Sequence, residues 1–362
     1  MGRKPKGAAR CTRNPSVRLE GGTIHLIRST AMKAAVAARF GGPGGGGLKE
    51  VAEPEVGPRD VLIDVHAASL NPVDAKIRRG ELKLVLSTRP PMILGCDVAG
   101  VVAAAGAQVD RFRVGDEVYG RLEKDRMGGL AERVAADQSV LAPKPRSIGF
   151  EQAAALPLVS LTALQALREA ARVEPGQRVL VHAGAGGLGS MAVQIAKVLG
   201  LYVIATASAK NLDFVRGLGA DEVIDYTTEP PSARGAVDAV LDSLGGASEL
   251  SSLRACKRGG VVVGVAGIPD LAFARASMPW FAPAAVWWMT RARRAEEKRT
   301  GVRYTWIFMR PDATQLEELS ALVDSGKIRP VLHRTYPLGE VGEAFAELER
   351  GRSRGKIVVR VS

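Results

Sequence analysis

Cysteine is nearly absent from the 362 residues: Cys11, Cys96 and Cys256 stand far apart. That spacing excludes a disulfide scaffold and a multi-cysteine zinc lobe, and it fits a reducing compartment. Histidine is as scarce, and His25, His66, His182 and His333 show no paired ligand spacing. No apolar run reaches the ~18–20 residues of a membrane-spanning helix. Aromatic residues make up only 5%. Acidic residues are outnumbered, 38 against 50 basic, for a net charge of +12, but the excess is local. Arg3, Lys4, Lys6, Arg10, Arg13, Arg18 and Arg28 face only Glu20 within residues 1–31, and a second basic run spans 289–303. A nucleic-acid binder carries its charge on a folded reading surface, so this distribution points away from nucleic acid. What the chain has in quantity is glycine, 41 residues, and a 46% hydrophobic content rich in Ala and Val. Such a composition excludes wholesale disorder and suits helices packed closely on a sheet.

Residues 1–31 lack the apolar core of a secretory signal. They read as a disordered basic extension, as a start artefact before Met32, or as an Arg-rich, acid-poor organelle transit peptide. With no secretory signal, the expected location is cytoplasmic. From residue 33 to about 145 the chain reads as short strands punctuated by Gly and Pro, such as 61–65, 98–104 and 117–119, with Gly41–Gly47 as a mobile turn. From about 150, five-residue apolar runs alternate with helical patterns, the signature of a parallel sheet. Strands are expected at 178–182, 201–205, 222–225, 236–241 and 261–265, with helices at 188–199 and 210–218. From Val331 short strands return, with a helix near 341–350.

The strongest motif runs from Arg178 to Gly189. An apolar strand enters Gly184-Ala185-Gly186-Gly187-Leu188-Gly189, and a helical pattern follows at once. In this setting the first glycine permits the turn, the second lets backbone approach a pyrophosphate, and the third lets helix and strand pack closely. The helix N-terminus offers free N–H groups to phosphate. NAD sites place an acid about 20 residues on to hold the ribose 2′-hydroxyl. Here no acid occurs between Gly184 and Asp213, while Ser208, Lys210 and Asn211 offer donors and charge suited to a 2′-phosphate. The expected cofactor is NADP(H).

Segments 69–74 (Ser-Leu-Asn-Pro-Val-Asp), 94–102, 114–120, 156–163, the glycine motif, 217–221, 326–330 and 354–358 together resemble the zinc-independent, quinone oxidoreductase-like branch of the medium-chain dehydrogenase/reductase superfamily. The stretch 280–310 resembles a subgroup that includes mitochondrial members. The resemblance implies an α/β protein: a doubly wound parallel-sheet (Rossmann) domain, 158–331, inserted in a β-rich GroES-like catalytic domain, 32–157 with 332–362. It implies a homodimer and hydride transfer from NADPH to a quinone or to the β-carbon of an enal or enone. Where zinc-dependent relatives carry Cys and His ligands, this chain has Asn71 and Cys96, so no metal is expected. The resemblance sets Asn71 by the nicotinamide ribose, Thr162 against the cofactor, Tyr226 near the adenine ribose phosphate, and Gly264, Val265, Gly267 and Lys356 around the same ligand. Asp74, Lys76 and Tyr119 are candidate proton donors by their place in the motifs, with solvent as the alternative. A zinc-independent alcohol dehydrogenase-like enzyme and a non-catalytic NADPH-binding adaptor remain alternatives.

Trp280, Trp287 and Trp288 precede the basic run from Arg291. As a helical segment near 278–300 they would cap the substrate cleft, pack on a partner subunit, or make peripheral contact with an anionic membrane surface.

Overall fold

The computed structural model describes residues 31–42 and 46–362. The expectations for the basic extension, Cys11 and His25 lie outside the described residues.

Six parallel strands form one sheet, in the spatial order Glu222–Asp225, Tyr202–Ala207, Arg178–Val181, Val237–Asp242, Cys256–Gly264 and Arg303–Trp306. Their apolar residues, such as Leu180, Val203, Ile204 and Val240, are almost fully buried because helices cover both faces. Each such side chain contributes about 1.5–3 kcal/mol by leaving water. The strand order reverses between Arg178–Val181 and Val237–Asp242, which opens a crevice at their carboxyl ends. His182 follows the first of these strands and is buried there, with Nε2 2.9 Å from Ser252 Oγ.

Sequence pattern and structure differ in four places. The strand expected at 261–265 begins at Cys256, through a glycine pair in which Gly259 takes a positive φ of 84°. The helix expected over 210–218 is only a 3₁₀ turn, Ala209–Asn211, and the short Leu212–Arg216. Gly46 and Gly47 belong to the strand Gly46–Ala52 rather than to a turn. The edge strand Arg303–Trp306 was not anticipated, because its four residues sit beside a helical, basic run.

The second sheet has seven strands. Lys356–Arg360 lies between Leu332–Pro337 and Asp60–Leu70, followed by Asp97–Ala105, Glu117–Arg121 and Leu141–Pro143, with Arg133–Asp137 paired on Asp60–Leu70. A small third sheet holds Gly46–Ala52, Ala31–Ala37 and Met92–Ile93. The chain thus leaves the seven-stranded sheet after Pro143 and rejoins it at Leu332. Antiparallel register sets Ile357 opposite Leu70 and Val358 opposite Ser69. That pairing brings Lys356 to the end of the strand that leads into Asn71. A bridge from Gly355 N–H to the Ala185 carbonyl, 2.9 Å, ties the same segment to the glycine loop.

The tryptophan segment is two helices, Ala282–Met289 and Arg291–Thr300, broken at Thr290. Trp280 precedes the first, and no residue of 278–300 lines the cavity walled by the glycine motif, so the segment does not cap that cavity.

Candidate active site

The glycine loop shapes one wall of a cavity of about 370 Å³. Ala183 turns the chain with φ 52°. A Cβ on Gly189 would stand 2.1 Å from the Ala183 carbonyl oxygen, so only glycine lets the helix start this close to the strand. A Cβ on Gly184 would meet Ala205 and Val215 at 3.0 Å. At Gly186 the nearest atom is the Ala183 oxygen at 3.3 Å, so that backbone faces open cavity at the N-cap of the twelve-residue helix Gly187–Val198. An open backbone under a helix N-terminus fits a dinucleotide pyrophosphate.

A buried polar cluster stands across from the loop. Asn71, Asp97 and Lys356 are at most 5% exposed. Asn71 Nδ2 donates to Asp97 Oδ2 at 2.8 Å, and Asn71 Oδ1 accepts from Lys356 Nζ. Lys356 Nζ also donates to the Leu70 carbonyl at 2.9 Å and lies 3.6 Å from Asp97 Oδ2. Ser69 Oγ and Leu158 N–H, each at 3.0 Å, complete the donors to Asp97. Burial pulls the Lys356 ammonium below its ordinary range, against the attraction of Asp97.

Asn71, Lys76, Thr162, Gly186, Gly187, Leu188, Gly189, Val265, Gly267 and Lys356 line this cavity. Gly184 and Ala185 shape the loop from behind. Gly264 lies inside the sheet, where an added Cβ would strike the Tyr304 hydroxyl. Two proton-donor candidates lie off the cavity. Asp74 is buried as the reciprocal cap of helix Pro72–Arg79, accepting Asn71 N–H at 2.8 Å, and burial pushes its carboxyl up to about 6. Tyr119 donates to the Leu316 carbonyl at 2.7 Å and accepts from Ser320 Oγ. Lys76 remains, half-buried in the cavity wall.

Ser208, Lys210, Asn211 and Tyr226 gather beyond the cavity, past the ends of Tyr202–Ala207 and Glu222–Asp225. Asn211 Nδ2 donates to Ser208 Oγ at 3.2 Å, and Arg354 Nε donates to Asn211 Oδ1 at 3.1 Å while stacking over Phe214. Tyr226 is 59% exposed.

Residues 57–146 match the alcohol dehydrogenase GroES-like domain, and residues 218–359 match a model described as zinc-binding dehydrogenase. A mouse protein, "NAD(P)H oxidoreductase RTN4IP1, mitochondrial", is 36% identical over 325 residues, covering 84% of this chain and 82% of its own. A spinach protein, "Quinone-oxidoreductase homolog, chloroplastic", is 36% identical over 345 residues, 91% of this chain and 99% of its own. The solved quinone oxidoreductase from Coxiella burnetii is 34% identical with a TM-score of 0.79, covering 92% of this chain and all of that one. The chain belongs to the quinone oxidoreductase-like branch of the medium-chain dehydrogenase/reductase superfamily.

As a member of that branch it is an oxidoreductase of the NAD(P)H-dependent type. The cytoplasmic expectation is overturned: relatives are named mitochondrial and chloroplastic, which points to an organelle. Among the described residues no group of three His, Cys, Asp or Glu side chains is gathered to hold a metal. Cys96 lies buried 3.6 Å from Met127 Sδ, and burial pushes its thiol up.

Sequence reasoning missed Arg121. It ends the strand Glu117–Arg121, opposite Asp97 in register, and lines the cavity at 2% exposure. Its guanidinium donates to the Leu122 carbonyl, and Nε has no partner. Arg121, Phe308 and Met309 also line a neighbouring outer depression. There Arg111, Lys124, Arg126 and Arg310 all pair with carboxylates. Arg121 forms no ion pair among the described residues.

Proposed function

We propose an NADPH-preferring reductase of quinones or of enals and enones, working without a metal in the cavity between the glycine loop and the Asn71–Asp97–Lys356 cluster. That arrangement is the observation that carries the reading: an apolar cavity with one phosphate-binding wall and one buried polar wall. In this reading the catalytic domain comprises 32–157 with 332–362, and the dinucleotide domain 158–331. The homodimer of this reading would meet at the outer edge of Arg303–Trp306, the end strand of the six-stranded sheet, where Glu297 and Asp270 accept the outward N–H groups of Tyr304 and Trp306.

Gly186, Gly187, Leu188 and the helix N-terminus hold the pyrophosphate. Ser208, Lys210, Asn211 and Arg354 take the 2′-phosphate, with Tyr226 beside the ribose. Asn71 and Lys356, with Thr162, orient the nicotinamide end, and Val265 and Gly267 line its path. The cofactor, when bound, supplies hydride. Leu158, Val159, Phe308 and Met309 exclude water, which strengthens every polar contact inside. Arg121 offers the acceptor carbonyl a fixed positive charge as its oxygen turns anionic. Lys76, half-buried in the cavity wall, or solvent supplies the proton, since Asp74 and Tyr119 do not line the cavity.

The test is loss of NADPH absorbance, with NADH in parallel, against quinones, enals, enones and simple ketones. Turnover of quinones or activated alkenes is expected, faster with NADPH, and Lys210→Ala with Arg354→Ala should narrow that preference about tenfold, ~1.4 kcal/mol. Cofactor binding with no turnover on any acceptor would identify an adaptor instead. In the same assay Arg121→Met should lower kcat by about 100-fold with cofactor affinity unchanged, the low end of what one oxyanion donor contributes. An unchanged kcat would remove Arg121 from the chemistry.

A further inference from the structure

We propose that the outer face of helices Ala282–Met289 and Arg291–Thr300 docks on an anionic lipid surface. Trp280 is 91% exposed, Trp288 61% and Trp287 53%, and Phe281 and Met289 are exposed beside them. Large apolar side chains contiguous in sequence and left in water mark an interaction surface rather than chance exposure.

The exposure is fixed by what lies beneath. Ala282 and Val286 turn inward and are buried. Arg293 pins the second helix from below: its guanidinium donates to Glu249 Oε2 at 3.2 Å and to the carbonyls of Ile268, 2.8 Å, and Pro269, 3.0 Å, and it stacks on Tyr304. The acids of that helix turn inward too. Glu296 takes Arg254 and Arg299, and Glu297 accepts Tyr304 N–H at 2.8 Å. Arg291, Arg294 and Lys298 follow one another at helical spacing on a single stripe. None of the three forms an ion pair among the described residues. Arg291 stacks on Trp288 at 4.2 Å and Arg294 on Trp287 at 4.6 Å. Indoles flanked by guanidinium groups that donate to the Trp288 and Trp287 carbonyls, and to no carboxylate among the described residues, match the boundary of an anionic bilayer, where rings sit at headgroup depth and cations meet phosphate.

Charge selects the occupant. A two-fold contact with a second copy through this face would set one cationic stripe near the other, while the acids of the same helix, Glu296 and Glu297, are already engaged by Arg254, Arg299 and the Tyr304 N–H. An anionic surface is complementary to all three cations. Such docking rests on the reductase reading only in its benefit, since it would hold the cavity near membrane-dissolved quinones; the docking itself is measured without any acceptor.

The experiment is sedimentation of the full chain with vesicles of phosphatidylcholine alone, or of phosphatidylcholine with one-third phosphatidylglycerol. Partition into the anionic vesicles is expected to exceed that into neutral ones at least tenfold and to fall with salt. Trp280→Ser with Trp287→Ser and Trp288→Ser should lower it at least tenfold, as should Arg291→Glu with Arg294→Glu. Both variants should keep NADPH affinity, which reports that they fold. Equal partition into both vesicle types, or anionic partition untouched by the tryptophan variant, would overturn the proposal. So would a tryptophan variant that leaves vesicle binding alone but converts a dimer to monomers by light scattering, since the face would then be a contact between copies. If vesicles bind but no acceptor turns over, the docking stands and the reductase reading falls.

Discussion

Replacing Lys356 with Met is expected to destabilise the fold by about 3 kcal/mol and to abolish turnover. Its ammonium is the only cation within 4 Å of Asp97 among the described residues, and Asp97 is fully buried. Removing one partner of a buried pair leaves an uncompensated charge, at ~3–5 kcal/mol. The low end applies because Asn71, Ser69 and Leu158 still donate to Asp97. The measurement is the urea midpoint at constant m. Pairing Lys356→Met with Asp97→Asn removes both charges, so most of the stability should return while activity stays lost. Recovery of turnover in the double variant would show that Lys356 only neutralises Asp97 and does not orient the cofactor.

The second large effect is at Gly186. Its φ of −76° and ψ of 175° suit any residue, and an added Cβ would meet one atom, the Ala183 oxygen, at a tight 3.3 Å. Gly186→Val should therefore fold after a small shift of that carbonyl, losing about 1–2 kcal/mol at the N-cap. The new side chain fills the space in which backbone meets pyrophosphate, so NADPH affinity should drop at least about 100-fold, ~2.7 kcal/mol. Wild-type protein gains ~2.7 kcal/mol of stability at 100 times Kd, and the variant should gain almost none. A variant with a normal cofactor-induced rise in Tm would move the pyrophosphate elsewhere.

The glycine loop was legible because its signal is local: strand, turn and helix occupy a dozen consecutive residues, and each glycine answers a steric demand within that span. The alternation of apolar runs likewise revealed the parallel sheet. Arg121 was not legible, for a reason of register. Tyr119 and Arg121 lie on the same face of one strand, about 6.6 Å apart. The motif drew attention to Tyr119, yet only pairing with Asp97 brings the second of them to the cavity wall, and that pairing spans distant sequence. Arg354 needed the same long-range information, since its partner Asn211 sits 143 residues earlier. The strand Arg303–Trp306 was hidden because four residues carry too little periodicity to outweigh the helical pattern before them. In the tryptophan segment, helical spacing was readable, but whether the rings turn toward the cavity or toward solvent depended on Arg293 reaching Glu249 and two carbonyls.

The contact between Asn71 and Lys356 spans 285 residues. At ~5–20 residues per second of synthesis, a ribosome adds the lysine roughly 15–60 seconds after the asparagine. Once Gly189 has been added, and for the rest of that interval, a growing chain carries the complete glycine loop but a polar wall that still lacks Lys356. Nucleotide affinity and reductive competence therefore arrive at different moments in the life of each molecule, the second only when the last strand pairs with Asp60–Leu70.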